Sequence, residues 1–138
     1  MKKRSTQSEP IEPTVRQAVI YARVSSKEQE KEGFSIPSQL KLLKEYAAKE
    51  GLSAVQEYVD IETAKQTGRG SFSEMVAFLT ANPRVRIILV EKTDRLYRNL
   101  KDWVMLDDLD VEIHLVKEGA VLSRDSKSSE KFMHGIKV

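Results

Sequence analysis

Two short stretches of this chain carry side chains whose types and spacing suit chemistry on a phosphate. The first is Arg23-Val24-Ser25, which closes the apolar run Ala18-Val19-Ile20-Tyr21-Ala22. That run is short and β-prone, so it reads as a buried strand delivering Arg23 and Ser25 to its C-terminal edge. In an open α/β sheet that edge is where sites are usually built. A hydroxyl beside a guanidinium there suggests a nucleophile next to a reader of phosphate or carboxylate. The second stretch is Lys92-Thr93-Asp94-Arg95-Leu96-Tyr97-Arg98-Asn99, which follows the β-branched run Val85-Arg86-Ile87-Ile88-Leu89-Val90 and so also sits at a strand end. Arg95 and Arg98 are spaced i, i+3, which puts both guanidiniums on one face if a helix begins here. Asp94 suits the N-cap of that helix. The plainer reading is a strand end, a cap and solvated surface charges. The sharper one is that two strand ends gather Arg23, Ser25, Asp94, Arg95 and Arg98 around a phosphodiester.

Composition narrows the setting. At 138 residues and 40% hydrophobic content the chain suits one domain with a real core. Lys and Arg number 23 against 21 Asp and Glu, so net charge does not announce nucleic-acid binding and any basic surface must come from local clustering. There is no cysteine, which excludes disulfides and Cys-based zinc sites. His114 alternates within Val111–Val116 and reads as a residue on a strand's polar face. No apolar stretch is long enough for a membrane span, and Met1–Thr14 lacks the apolar core of a signal peptide. A cytoplasmic protein with a disordered leader over residues 1–16 is expected.

The elements that must position these residues alternate. Strands are expected at about 17–24, 55–61, 85–91 and 111–116, with a short fifth near Glu118–Leu122. Ser25–Ser35 is polar, carries Gly33 and reads as a mobile loop. A helix over about 37–49 opens at Pro37 and stops at Gly51, with Ile36, Leu40, Leu43 and Ala47 at helical spacing. Ser71-Phe72-Ser73-Glu74 reads as a capping box for a second helix, burying Phe72, Met75, Val76 and Leu79 before Asn82-Pro83. A third helix over about 95–108 is expected to turn Leu96, Leu100, Trp103 and Val104 inward. After a polar loop over Ser123–Ser129, a last helix begins near Ser128 with Phe132, Met133 and Ile136 on one side. The alternation argues for an α/β fold, a central mostly parallel sheet of four to five strands flanked by helices. Gly68-Arg69-Gly70 is no nucleotide-binding P-loop, since the Gly-Lys-Ser/Thr ending is missing.

With these residues in order, the chain resembles the catalytic domain of the serine recombinases, the family of resolvases, invertases and large serine integrases. The similarity runs from Ala18 to the last residue and looks most like the large phage and mobile-element type. Tyr21-Ala22-Arg23-Val24-Ser25 resembles the nucleophile strand, and Gln39 a family glutamine near the active site. Arg69 resembles the arginine before the second helix, and Asp94-Arg95-Leu96-Tyr97-Arg98 the Asp-Arg-Leu-x-Arg signature, with Tyr97 where smaller residues are frequent. The resemblance implies that Ser25 attacks a DNA phosphate to give a 5′-phosphoserine link and a free 3′-hydroxyl. Arg23, Arg69, Arg95 and Arg98 would hold the phosphate in place of a metal, Gln39 would lie in the substrate-binding region, and Asp94 would orient a guanidinium or assist a proton transfer. It implies double-stranded DNA as partner, no cofactor, and self-association to a dimer or tetramer in a full-length parent. On this reading residues 17–138 are a catalytic domain cut at the start of its long C-terminal helix, expected to be monomeric or weakly associating and incompetent alone, with negligible specific DNA affinity. The competing readings are a silent phosphate- or DNA-binding regulatory remnant, and an unrelated α/β phosphotransfer enzyme.

Overall fold

The unbroken apolar runs of the sequence mark strands covered on both faces. In the computed structural model, which describes residues 15–25, 35–63, 70–97 and 99–123, five strands form one sheet. They are β1 (Gln17–Ser25), β2 (Ser53–Glu62), β3 (Val85–Val90), β4 (Glu112–Leu115) and β5 (Ala120–Leu122), in the order β2-β1-β3-β4-β5. All neighbours are parallel except β4 and β5. The helices are α1 (Ile36–Glu50), α2 (Gly70–Ala81), α3 (Thr93–Leu96) and α4 (Leu100–Asp107). On one face Ala18, Ile20, Ile87 and Leu89 pack against Leu43 and Ala47 of α1. On the other, Val19, Tyr21, Ile88 and Val90 pack with Phe72, Met75 and Leu79 of α2 and Leu106 of α4.

The chain runs from β1 outward to β2, then returns past β1 to β3. The direction of winding therefore reverses between β1 and β3, and the crevice outside their C-terminal ends is the natural place for a ligand. Ser25 closes β1 at that edge, and α3 opens just past the end of β3.

Local signals explain most boundaries. The Ser35 hydroxyl caps α1 by accepting the Ser38 N–H, Pro37 occupies its first turn, and Gly51, at φ 70°, ends it. The expected Ser71 capping box is replaced. Asp60, 5% exposed on β2, takes the Ser71 and Phe72 N–H groups at 2.9 Å each, so α2 opens at Gly70. The same carboxylate accepts the Tyr21 hydroxyl at 2.6 Å. A buried anion at a helix N-terminus meets both the free N–H groups and the dipole, the work a serine cap would otherwise do.

Three further expectations are corrected. The single helix over 95–108 is two, separated at Tyr97–Asn99, where the Asn99 side chain accepts the Asp102 N–H and restarts the helix. The break resets the rotational phase: Leu96 and Leu106 are buried, whereas Leu100 and Val104 are exposed. Asp94 lies in the first turn of α3 and not at its N-cap, which is Lys92; Glu118 takes the Thr93 N–H from outside. His114 is buried rather than on a polar face, because α1 covers that side of β4. Its Nδ1 lies 2.7 Å from the Tyr46 hydroxyl and its Nε2 3.1 Å from Glu112 Oε1, and Glu112 also pairs with Arg16. The expected fifth strand is present. The leader, the loop after Ser25 and the helix near Ser128 lie outside the described residues.

Two outcomes follow from these contacts. Asp60→Ala removes three hydrogen bonds to one buried carboxylate and should lower stability by about 2–4 kcal/mol, read from urea unfolding. Burial alone would raise the Glu112 carboxyl, but hydrogen bonds from His114 and Arg16 and their charges outweigh it and hold it below the ordinary carboxylate value. A lowered folded value gives stability that is present above the ordinary carboxylate range and is lost as pH falls through the folded value. Glu112→Gln should therefore flatten the loss of stability between about pH 6 and about pH 3, by a small amount because the carboxylate is partly solvated.

Candidate active site

At the C-terminal end of β1 the backbone outruns its neighbour on one side. Pairing with β3 extends to Ile20 opposite Leu89, while pairing with β2 continues to Ser25 opposite Glu62. The Arg23 peptide groups on the β3 side need other partners. Gln39, wholly buried on α1, supplies both: its Oε1 accepts the Arg23 N–H at 3.2 Å and its Nε2 donates to the Arg23 carbonyl at 3.1 Å. Gln39 thus extends the ladder by one residue from a helix and fixes the backbone two residues before Ser25.

The Arg23 guanidinium spans three elements. Its Nε donates to the Arg95 carbonyl at 3.1 Å and its Nη2 to the Asp94 carbonyl, while Nη1 lies 3.4 Å from Glu62 Oε1. What α3 offers it is main chain. The Arg95 side chain runs inward: it is 3% exposed and its Nε meets Glu91 Oε1 at 3.0 Å. Glu91 also pairs with Lys117 at 3.1 Å, and the Thr93 hydroxyl donates to Glu118 at 2.7 Å. Two buried or half-buried acids from beyond β3 therefore lock α3 against the sheet.

The structure brings Arg23, Ser25, Gln39 and the Asp94–Arg95 main chain to one edge. Asp94 is exposed there, and the Arg95 guanidinium faces the interior rather than the crevice. Arg69 and Arg98 lie outside the described residues. Tyr97, the other hydroxyl of the signature, packs against the core, and burial, with Asp107 and then Asp102 nearby, pushes its phenol far above the ordinary tyrosine value. It stays protonated and is no rival nucleophile. Sequence reasoning missed Glu62, Asp60 and Glu91. The available signal was that Asp60 and Glu62 lie at the end of an expected strand, with the i, i+2 spacing that puts both on one face.

Among the described residues no cluster of His, Cys, Asp or Glu has the makings of a metal site. A cleft of about 570 Å³ at the opposite edge is lined by Arg16, Arg84 and Arg86. Two of these are engaged, Arg16 by Glu112 and Arg86 by the carbonyls of Leu79, Asn82 and Leu109.

Comparison with known proteins bears on this geometry. The family described as Resolvase, N terminal domain, matches residues 18–137. A resolvase family site-specific recombinase from Streptococcus pneumoniae superposes with a TM-score of 0.69 at 26% identity, covering 85% of this chain and 82% of that one. The N-terminal catalytic domain of TP901-1 integrase gives 0.65 at 23% identity, over 85% and 88% of the two chains, a likeness of fold. An uncharacterized immunity region protein 3 of Bacillus phage phi105 is 39% identical over 66 residues, 47% of this chain and 80% of that protein.

Removing Glu91 takes an ion-pair partner from the buried Arg95. Glu91→Ala should cost about 3–5 kcal/mol in chemical unfolding, and an effect below about 1 kcal/mol would mean the ion pair does not hold α3.

Proposed function

Because this chain belongs to the resolvase family and carries the catalytic-domain fold of serine recombinases, we propose that it cleaves and rejoins double-stranded DNA through Ser25. The observation that supports this most is the placement of Ser25 at the β1 edge of the winding-reversal crevice, beside a guanidinium held by partners on α3 and β2. Ser25 Oγ attacks the scissile phosphorus and stays bonded to the 5′ phosphate, and the 3′ oxygen departs. The ester exchange conserves bond energy, so rejoining requires no nucleotide cofactor.

Charge on the phosphate falls to arginine. Arg23 supplies a fixed guanidinium, and Arg69 and Arg98 are assigned to the equatorial oxygens by the family motif they match. Arg95 holds α3 in the free chain, and its guanidinium reaches a phosphate only when the Glu91 pair opens. Planar, permanently charged forks suit this task better than lysine. Gln39 acts on substrate indirectly, by fixing the backbone that carries Arg23 and Ser25. Self-association into a dimer or tetramer on DNA accompanies the reaction in this reading. Among the described residues no helix is long and apolar enough to cross a membrane.

The inward-facing Arg95 also favours a second reading, a phosphate- or DNA-binding module in which Ser25 never reacts. Incubation with a library of nicked duplexes of random sequence, followed by denaturing electrophoresis, separates the two. In a full-length parent carrying this domain, wild type should give a covalent protein–DNA adduct and Ser25→Ala none. Arg23→Ala should slow adduct formation about 10²–10³-fold, as for loss of one fixed donor to a developing anion. Arg23→Lys should recover little of that rate, because a lysine cannot bridge two carbonyls and a carboxylate. The chemistry should persist in chelator; a strict Mg²⁺ requirement would contradict the assignment of charge to arginine.

A further inference from the structure

A serine hydroxyl attacking phosphorus must lose its proton, and among the described residues no histidine is placed for that. Of the two histidines, His114 is buried on β4 between Tyr46 and Glu112, and His134 lies outside the described residues. The acids at the strand ends are mostly committed. Asp60 holds α2 and Tyr21, Glu91 holds Arg95 and Lys117, and Glu118 holds Thr93. Asp94 is exposed in the first turn of α3, and what it gives Arg23 is its carbonyl.

Glu62 differs from all of these. It is the Cα partner of Ser25 in the parallel β1–β2 ladder. Paired residues of parallel strands send their side chains to the same face, here the face on which Tyr21 meets Asp60. Its side chain is half-buried, and Arg23 Nη1 lies 3.4 Å from its Oε1. The carboxylate is thereby kept beside the nucleophile by the arginine that also faces the phosphate.

We propose that Glu62 is the proton acceptor for Ser25. The proposal rests on Ser25 being the nucleophile. In cleavage the Oγ–P bond forms, the Oγ proton passes to a Glu62 carboxylate oxygen, and the bond from phosphorus to the 3′ oxygen breaks. The departing 3′ oxygen keeps the electron pair and takes a proton from water. In rejoining, the 3′ hydroxyl attacks phosphorus and loses its proton to water, the Oγ–P bond breaks, and Glu62 returns its proton to Oγ. Arg23 acts on both partners, fixing the base on one side and the phosphate on the other.

The 4-nitrophenyl ester of thymidine 5′-phosphate isolates this step, since nitrophenolate needs no proton to leave and the probe needs neither a target sequence nor self-association. The whole chain is mixed with it, and the burst of nitrophenolate is followed with pH, with the thymidylyl adduct confirmed by intact mass. Wild type should give a burst whose rate falls on the acid side as the carboxylate takes up a proton. Glu62→Gln should be about 100-fold slower, in the range of lost general-base catalysis, and should lose that acid limb. Glu62→Asp should recover part of the rate and restore the limb. A Glu62→Gln burst within about twofold of wild type, or one slowed with the acid limb intact, overturns the role of Glu62 and leaves Ser25 standing. A normal burst from Ser25→Ala, or none from wild type, overturns the serine reading and Glu62 with it.

Discussion

Arg23 is the tie on which the edge of this molecule depends. It sits where β1 has outrun β3, and nothing in the sheet itself joins the end of β1 to the segment after β3. The guanidinium closes that gap by donating to two consecutive carbonyls of α3 while facing an acid on β2. Fixing a long side chain costs entropy, and the fork geometry lowers that cost because one planar group serves three partners. Gln39 does the complementary work on the backbone of the same residue. Ser25 follows two residues on, as the last residue of the strand that this bond pair fixes.

The pattern of acids follows from the same edge. A parallel sheet delivers strand ends and helix starts to one side, and several of the residues arriving there are charged. Two of the buried acids are matched there: Asp60 by helix N–H groups, Glu91 by Arg95 and Lys117. This pairing is how a chain with a formal charge of only +2 keeps arginines at one edge. It also sets a condition on function, since an arginine engaged by a carboxylate reaches a phosphate only by sharing or leaving that partner. Glu62 and Glu91 hold that position toward Arg23 and Arg95 in the free chain.

Much of this was legible in the residues. The strands announce themselves as apolar runs because both faces of the sheet are covered, and Arg23 and Ser25 could be placed at an edge because the run ends there. The break between α3 and α4 was missed although Asn99 and Asp102 carry an N-cap spacing, because the apolar periodicity continues across it. The carboxylates were harder. Asp60 and Glu62 gain meaning only from the register that sets them beside Tyr21, Arg23 and Ser25, and register is a property of strand pairing that a single strand does not encode. His114 was misplaced for a related reason: alternation showed a strand but not that α1 lies over its second face.

The central claim is that the crevice between the ends of β1 and β3 receives a phosphodiester. Backbone amide NMR during titration with a short DNA duplex tests it on the chain as it stands, whether or not cleavage occurs. The account predicts that the largest shifts fall on Arg23, Ser25, Glu62 and Thr93–Arg95 and weaken steeply with added salt. Shifts concentrated at Arg16, Arg84 and Arg86, with the β1 edge unmoved, would contradict it.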